Sequence, residues 1–129
     1  MQALVRRPKR LRGDITPPGD KSISHRSMIF NAIAEGEARV ANYGSGADLA
    51  STLRVLRGLG TKIENVGDSY IVHGSALREP TDILNTGNSG TTTRLMAGVL
   101  AGQSFMSVMT GDRSIRSRPM ARITEPLRL

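Results

Sequence analysis

With 129 residues, 38% of them hydrophobic and only 3% aromatic, the chain suits one ordinary domain whose core is built from Leu, Ile, Val, Met and Ala. It has no cysteine, which excludes disulfide and thiolate chemistry and suits a reducing compartment, and no apolar run near the ~20 residues of a membrane-spanning helix. The net charge of +7 is concentrated at the start: Arg6, Arg7, Lys9, Arg10 and Arg12 supply five positive charges, and without them the balance is +2.

This basic arm comes first in chain order. No apolar stretch follows it, so MQALVRRPKR is not read as a secretory signal, and it is too short and proline-broken for a transit peptide. A solvated terminal segment and a nucleic-acid contact both remain open for it. Gly13 to Thr16 reads as a short strand closed by Pro17-Pro18-Gly19. A helix is predicted from Ser22 to Ala34, with Ile23, Ile29, Phe30, Ile33 and Ala34 on its apolar face and Gly36 as its stop. Ala38 to Asn42 reads as a strand, and the loop GSGAD leads into a second helix, Leu49 to Leu59. Leu49, Leu53, Leu56 and Leu59 stripe one side of that helix, with Asp48 as N-cap and Gly60 at its end. A hairpin follows, Lys62 to Val66 and Tyr70 to His73 about a Gly67-Asp68 turn. Ile83-Leu84 begins another strand, the loop TGNSGTT opens a third helix from Thr91 to Leu100, and Phe105 to Met109 is a further strand. TGDRSIRSRPM reads as a loop, and Ala121 to Leu129 begins a last helix.

The two halves share a register. Gly19 and Gly87, Asp20 and Asn88, and Arg26 and Arg94 are each 68 residues apart, and each set opens a helix after a short strand. A duplicated unit of strand, helix, strand, helix and hairpin accounts for this. The second copy stops before its second helix is complete, which is expected of a piece of something longer.

Both helix entrances suit an anion. In PPGDKSISHR the first helical turn leaves backbone N–H groups without helical partners, and the helix dipole favours negative charge there. Ser22 adds a hydroxyl, Lys21 a mobile cation, and Arg26, one turn after Ser22, a fork for phosphate or carboxylate. A capped surface helix with two solvated cations is the competing reading. In TGNSGTTTR, Gly87 and Gly90 allow close backbone approach, Asn88, Ser89 and Thr91 offer polar groups, and Arg94 stands one turn above Gly90; the lysine of a nucleotide P-loop is missing. In GDRSIRSRPM, Arg113 and Arg122 read as solvated charges, whereas Arg118 is restrained by Pro119. His25 and His73 lack partners at zinc-site spacing, and no Ser-His-Asp arrangement stands out.

PPGDKSISHR, LNTGNSGTTTRLM and TGDRSIRSRPM, in this order and spacing, closely resemble the N-terminal part of the 5-enolpyruvylshikimate-3-phosphate synthase family of enolpyruvyl transferases. ASTLRVLRGLG and EGEARVANYGSGAD fit the same pattern, and the leucine after Arg94 resembles bacterial variants with Leu where other members have Pro. The resemblance covers nearly the whole chain after the arm. It implies an α/β fold of repeated βαβαββ units, two domains of three units each, and an active site in the cleft between them. On this basis residues 1–18 are the basic arm and a strand that joins the other domain in the full enzyme. Residues 19–129 are an incomplete N-terminal substrate-binding domain of about two units.

The resemblance further implies transfer of the enolpyruvyl group of phosphoenolpyruvate to the 5-hydroxyl of shikimate 3-phosphate, with release of phosphate, in the shikimate pathway to chorismate and the aromatic amino acids. Neither metal nor organic cofactor is implied, and the location is cytoplasmic. By motif, Lys21, Ser22 and Arg26 contact shikimate 3-phosphate. Lys21, Gly90 and Arg118 contact phosphoenolpyruvate, in the pocket where glyphosate also binds. Lys21 is the one proton-transfer candidate in this chain, because the acidic catalytic residues and further arginines lie in the later part of the family's chains. The partner to supply them is the rest of the enzyme chain; no nucleic acid or membrane is implied, and the isolated chain is expected to be inactive. An Arg-rich nucleic-acid-binding module is an alternative, against which two Phe and two Tyr are few for base stacking. A non-catalytic phosphate-binding protein that reuses the repeat is another.

Overall fold

A computed structural model describes residues 3–7, 9, 10 and 12–128. The order of elements is α1 (Lys21–Ile33), β1 (Gly36–Ala41), α2 (Ala47–Gly58), β2 (Lys62–Val66), β3 (Ser69–Gly74), β4 (Leu84–Asn85), α3 (Gly90–Ala101), β5 (Met109–Thr110), α4 (Arg113–Arg116) and α5 (Ala121–Thr124), with a 3-10 turn at Pro126–Arg128. β1, β3 and β2 form an antiparallel sheet in that spatial order, with Val40 opposite Tyr70 and Ile63 opposite Val72. β4 and β5 pair in parallel, with Leu84 opposite Met109, and α3 makes the crossover between them. The mixed helix and strand content is the expected α/β class.

The core lies where the three long helices meet the sheet. Met28 and Ala32 of α1, Leu56 of α2, Val72 of β3 and Met96 of α3 are fully buried there. The leucine stripe of α2 faces inward as its spacing predicts: Leu49, Leu53 and Leu56 are buried, together with Leu59 at the C-cap.

α1 turns differently from expectation. Its buried side is Ser24, His25, Met28, Ile29 and Ala32, whereas Ile23, Phe30 and Ile33 are exposed and only Ile29 of the predicted face is inside. The reason is close packing: small and hydrogen-bonding side chains let α2 and the sheet approach α1. The Ser24 hydroxyl accepts from the Gly44 N–H at 3.1 Å, and a Cβ on Gly19 would collide with the Asn42 carbonyl.

Four further expectations are corrected. Residues 13–16 form no strand and Ile15 is 89% exposed. The internal repeat supplies a cause: β4 is held by Leu84 N–H to the Val108 carbonyl (2.9 Å) and Thr86 N–H to the Thr110 carbonyl (2.8 Å). Pro18 stands 68 residues before Thr86 and has no N–H to give. The strand expected over residues 105–109 is only Met109–Thr110, because β4 offers just two residues to pair with. The expected loop after Gly111 contains α4, capped by the Asp112 carboxylate. The last helix is a short α5 followed by the 3-10 turn; its expected end, Leu129, and Met1, Gln2, Pro8 and Leu11 of the arm lie outside the described residues.

Candidate functional site

The first turns of α1, α2 and α3 are joined to one another by side chains. Asp20 caps α1 by accepting from the Ile23 N–H at 2.7 Å, which leaves Lys21 and Ser22 exposed in the first turn. α2 is capped by the Gly46 backbone without a side chain, so the expected cap, Asp48, is free to do something else: its carboxylate pairs with the Lys21 ammonium. α3 is capped by Ser89, whose hydroxyl accepts from the Thr92 N–H at 3.1 Å, and Gly87 supplies the left-handed residue (φ 58°) that sets the turn.

Beneath these turns runs a buried polar chain. His25 Nδ1 and Thr52 Oγ1 are 2.7 Å apart, Thr52 and Thr92 hydroxyls 2.7 Å, and Thr92 and Ser89 hydroxyls 2.7 Å. The Thr92 hydroxyl also lies 3.4 Å from the Asp48 carbonyl. His25, Thr52, Ser89 and Thr92 are all fully buried. Burial holds the His25 imidazole below its ordinary pKa range, and Lys21 adds to this while Asp48 opposes it.

Above the Gly90 turn two guanidiniums gather. A Cβ at Gly90 would lie 2.5 Å from Arg94 Nη1 and 2.9 Å from Arg118 Nη1, so both cations rest against this glycine. Arg118 donates to Asn88 Oδ1 at 2.6 Å and to the Ser114 hydroxyl at 3.2 Å. Asn88 in turn donates to Asp112 Oδ2 at 2.5 Å, and the other Asp112 oxygen accepts from the Ile115 N–H at 2.9 Å. That N–H, with smaller contributions from Asn88, the Ser114 N–H and Arg118, holds the Asp112 carboxyl below the usual carboxylate range. Arg94 Nε is buried and, among the described residues, has no hydrogen-bond partner.

Of the five residues singled out in the sequence, Gly90 and Arg118 are thus in contact, and Lys21 joins them through Asp48 and Thr92. Arg26 lies on α1 beside a hollow of about 110 Å³ shared with Ile29, Phe30, Leu95 and Val99, next to the turn of α3 that carries Arg94. Among the described residues Ser22 and Arg26 make no side-chain hydrogen bond or ion pair, and neither Arg94 nor Arg118 has a carboxylate within ion-pair distance. Lys21, Arg26, Arg94 and Arg118, together with the N-terminal amides of α1 and α3, make an electropositive surface with donors to spare, suited to anionic ligands. Arg113 and Arg122 are exposed, as expected of solvated charges.

Sequence reasoning left three of these residues out of the site. Asp48 was assigned as a cap, and its pairing across 27 residues has no local signal. Asn88 was one polar residue among several in the turn. Arg94 did carry a signal: it is the 68-residue counterpart of Arg26. Among the described residues no group of three or more His, Asp or Glu is placed to hold a metal ion, and no helix is long and apolar enough to cross a membrane.

Residues 5–129 match the family model described as EPSP synthase (3-phosphoshikimate 1-carboxyvinyltransferase). The chain belongs to the EPSP synthase family. It is 56% identical over 131 residues to the 3-phosphoshikimate 1-carboxyvinyltransferase of Herpetosiphon aurantiacus, covering 99% of this chain and 30% of that protein. It is 58% identical over 125 residues to the enzyme of the same name from Chloroflexus aurantiacus, covering 94% of this chain and 29% of the relative. An EPSP synthase structure from Acinetobacter baumannii superposes with a TM-score of 0.86 at 48% identity, over 90% of this chain and 27% of that one. The chain therefore spans about 30% of the length of the EPSP synthase relatives it matches.

Proposed function

We propose that this chain forms one wall of an EPSP synthase active-site cleft. The reaction is transfer of the enolpyruvyl group of phosphoenolpyruvate to the 5-hydroxyl of shikimate 3-phosphate. The hydroxyl oxygen bonds to C2 of phosphoenolpyruvate as C3 gains a proton. The resulting tetrahedral adduct then loses that proton and expels phosphate. Such chemistry needs two anions held side by side and a proton donor and acceptor near C3.

The observation that carries the reading is the cluster at Gly90. Two guanidiniums without carboxylate partners flank a residue with no side chain, and the Lys21 ammonium is tied to the same helix turns. Gly90 and Arg118, with Arg94 beside them, hold phosphoenolpyruvate. Lys21, Ser22 and Arg26 hold shikimate 3-phosphate, and Lys21 reaches both and carries a proton. Glyphosate, an anion of similar size, competes at Gly90. Residues 19–129 are two repeats of the substrate-binding domain, residues 1–18 belong with the other domain, and the protein works in the cytoplasm.

The test is a pair of measurements. Phosphate release from both substrates by this chain alone is expected to be negligible, because the remaining 70% of the relatives' length supplies the other wall; turnover at an ordinary enzyme rate refutes this. Amide shifts of Lys21, Ser22 and Arg26 are expected to respond to shikimate 3-phosphate at concentrations where inorganic phosphate leaves them unmoved. An equal response to both supports a generic phosphate-binding protein instead.

A further inference from the structure

The buried chain from His25 to Ser89 has a direction. Ser89 Oγ accepts from the Thr92 N–H, and its own proton has one acceptor in reach, Thr92 Oγ1. The Thr92 proton must then go either to the Asp48 carbonyl or to Thr52. In the first case Thr52 donates to Thr92, and His25 Nδ1–H donates to Thr52. In the second the sequence reverses, His25 Nδ1 accepts, and the ring proton sits on Nε2. Nε2 is buried and, among the described residues, without a partner. A buried N–H with no acceptor is rarer and costlier than an under-used lone pair. The first pattern also keeps one more hydrogen bond, to the Asp48 carbonyl.

We propose that His25, neutral and carrying its proton on Nδ1, is a positioning residue that sets the Gly90 turn through Thr52, Thr92 and Ser89. The ring touches no proposed ligand. It orders the three hydroxyls, and these hold Ser89, the residue before Gly90, at a fixed distance from α2 and from the Asp48 carbonyl whose carboxylate pairs with Lys21. The inference rests on the reading of Gly90 as a phosphoenolpyruvate contact only for its effect on affinity. The proton's position and the link to the turn stand apart from it. Of the charged groups facing the ring, Lys21 on its own helix opposes protonation and Asp48 on α2 favours it, and burial outweighs both.

Long-range ¹H–¹⁵N correlation spectra of the 129-residue chain at pH 7 test the proton position directly. The expected pattern is Nδ1 protonated and Nε2 bare, the reverse of the form a free imidazole prefers. Thr52→Val removes the relay hydroxyl at nearly constant volume. It is expected to release the tautomer, move the Ser89 and Gly90 amide signals and weaken phosphoenolpyruvate binding about tenfold, while Thr52→Ser restores all three. If Thr52→Val does not fold, His25→Asn, whose amide N–H replaces Nδ1–H, is compared with His25→Gln, which mimics the opposite ring nitrogen. Asn alone is expected to keep the Gly90 signal in place. An Nε2–H or doubly protonated ring at pH 7, or Ser89 and Gly90 signals indifferent to Thr52→Val or alike in the Asn and Gln variants, overturns the proposal. If the tautomer and the signal movements appear but the wild-type chain takes no phosphoenolpyruvate, the relay stands and the ligand assignment is what fails.

Discussion

Arg118 donates to the side-chain carbonyl of Asn88 at 2.6 Å, thirty residues away in sequence. The bond fastens the short α4 segment to the turn that starts α3 and aims one guanidinium at Gly90. Arg118→Ala removes both the cation and the tie. In an EPSP synthase chain carrying this segment together with the remaining length of its relatives, kcat/KM for phosphoenolpyruvate is expected to fall about tenfold to a hundredfold, the range for losing a charge-assisted hydrogen bond. Arg118→Lys is expected to recover only part of this, since an ammonium cannot span Asn88 and an anion as a fork does. A steady-state assay with unchanged kinetics for Arg118→Ala removes it from the site.

Gly90→Ala separates ligand contact from folding. The new methyl would press on the far ends of two flexible arginines, not on backbone. Alanine is also the better helix former by about 1 kcal/mol in a helix interior. The melting temperature is therefore expected to hold within a few degrees, while phosphoenolpyruvate and glyphosate affinities fall as both guanidiniums are displaced. Thermal melts and ligand titrations on the same variant check this, and a variant with wild-type affinity contradicts it.

Gly19→Ala is expected to do the opposite. Its Cβ would strike the Asn42 carbonyl and crowd the Gly44 amide, and neither backbone group has room to yield. Overpacking of this kind costs about 1–3 kcal/mol or more. Urea denaturation is expected to show a lowered midpoint with the slope unchanged; a midpoint equal to wild type shows that the turn has slack.

Asp112 makes the α4 tie sensitive to acid. Its folded pKa is depressed, chiefly by the Ile115 N–H, so its contribution is present above the unfolded value of about 3.9 and is lost as pH falls through the folded one. Protonation weakens both the Ile115 cap and the acceptor for Asn88. Carboxyl carbon shifts are expected to place the Asp112 midpoint below that of an unstructured aspartate. The Ile115 and Asn88 side-chain N–H signals should move with the same midpoint, and Asp112→Asn should abolish that coupled step.

The internal repeat, the α2 stripe and the two anion-type helix entrances were legible because each is local. Periodicity writes the buried face of α2 into every fourth residue or so, and a polar cap before a helix needs only its own first turn. The identity of the family was legible for a related reason, since three short motifs in order leave few alternatives. The buried face of α1 was not legible: Ser24 and His25 are inside and Phe30 outside because neighbouring elements set how closely α1 is approached, and hydropathy carries no record of that. Nor was the role of Asp48, which a cap assignment explained adequately until Gly46 took the position and Lys21 came within reach. The strand expected at residues 13–16 depended on a ladder partner, and Pro18 lacks the donor that Thr86 uses in the second repeat. Sequence alone determined which side chains carry charge and where helices begin. Tertiary structure decided which of those beginnings meet, because the hydrogen bonds joining His25, Thr52, Thr92 and Ser89 reach across as many as 40 residues and form only when α1, α2 and α3 are packed together.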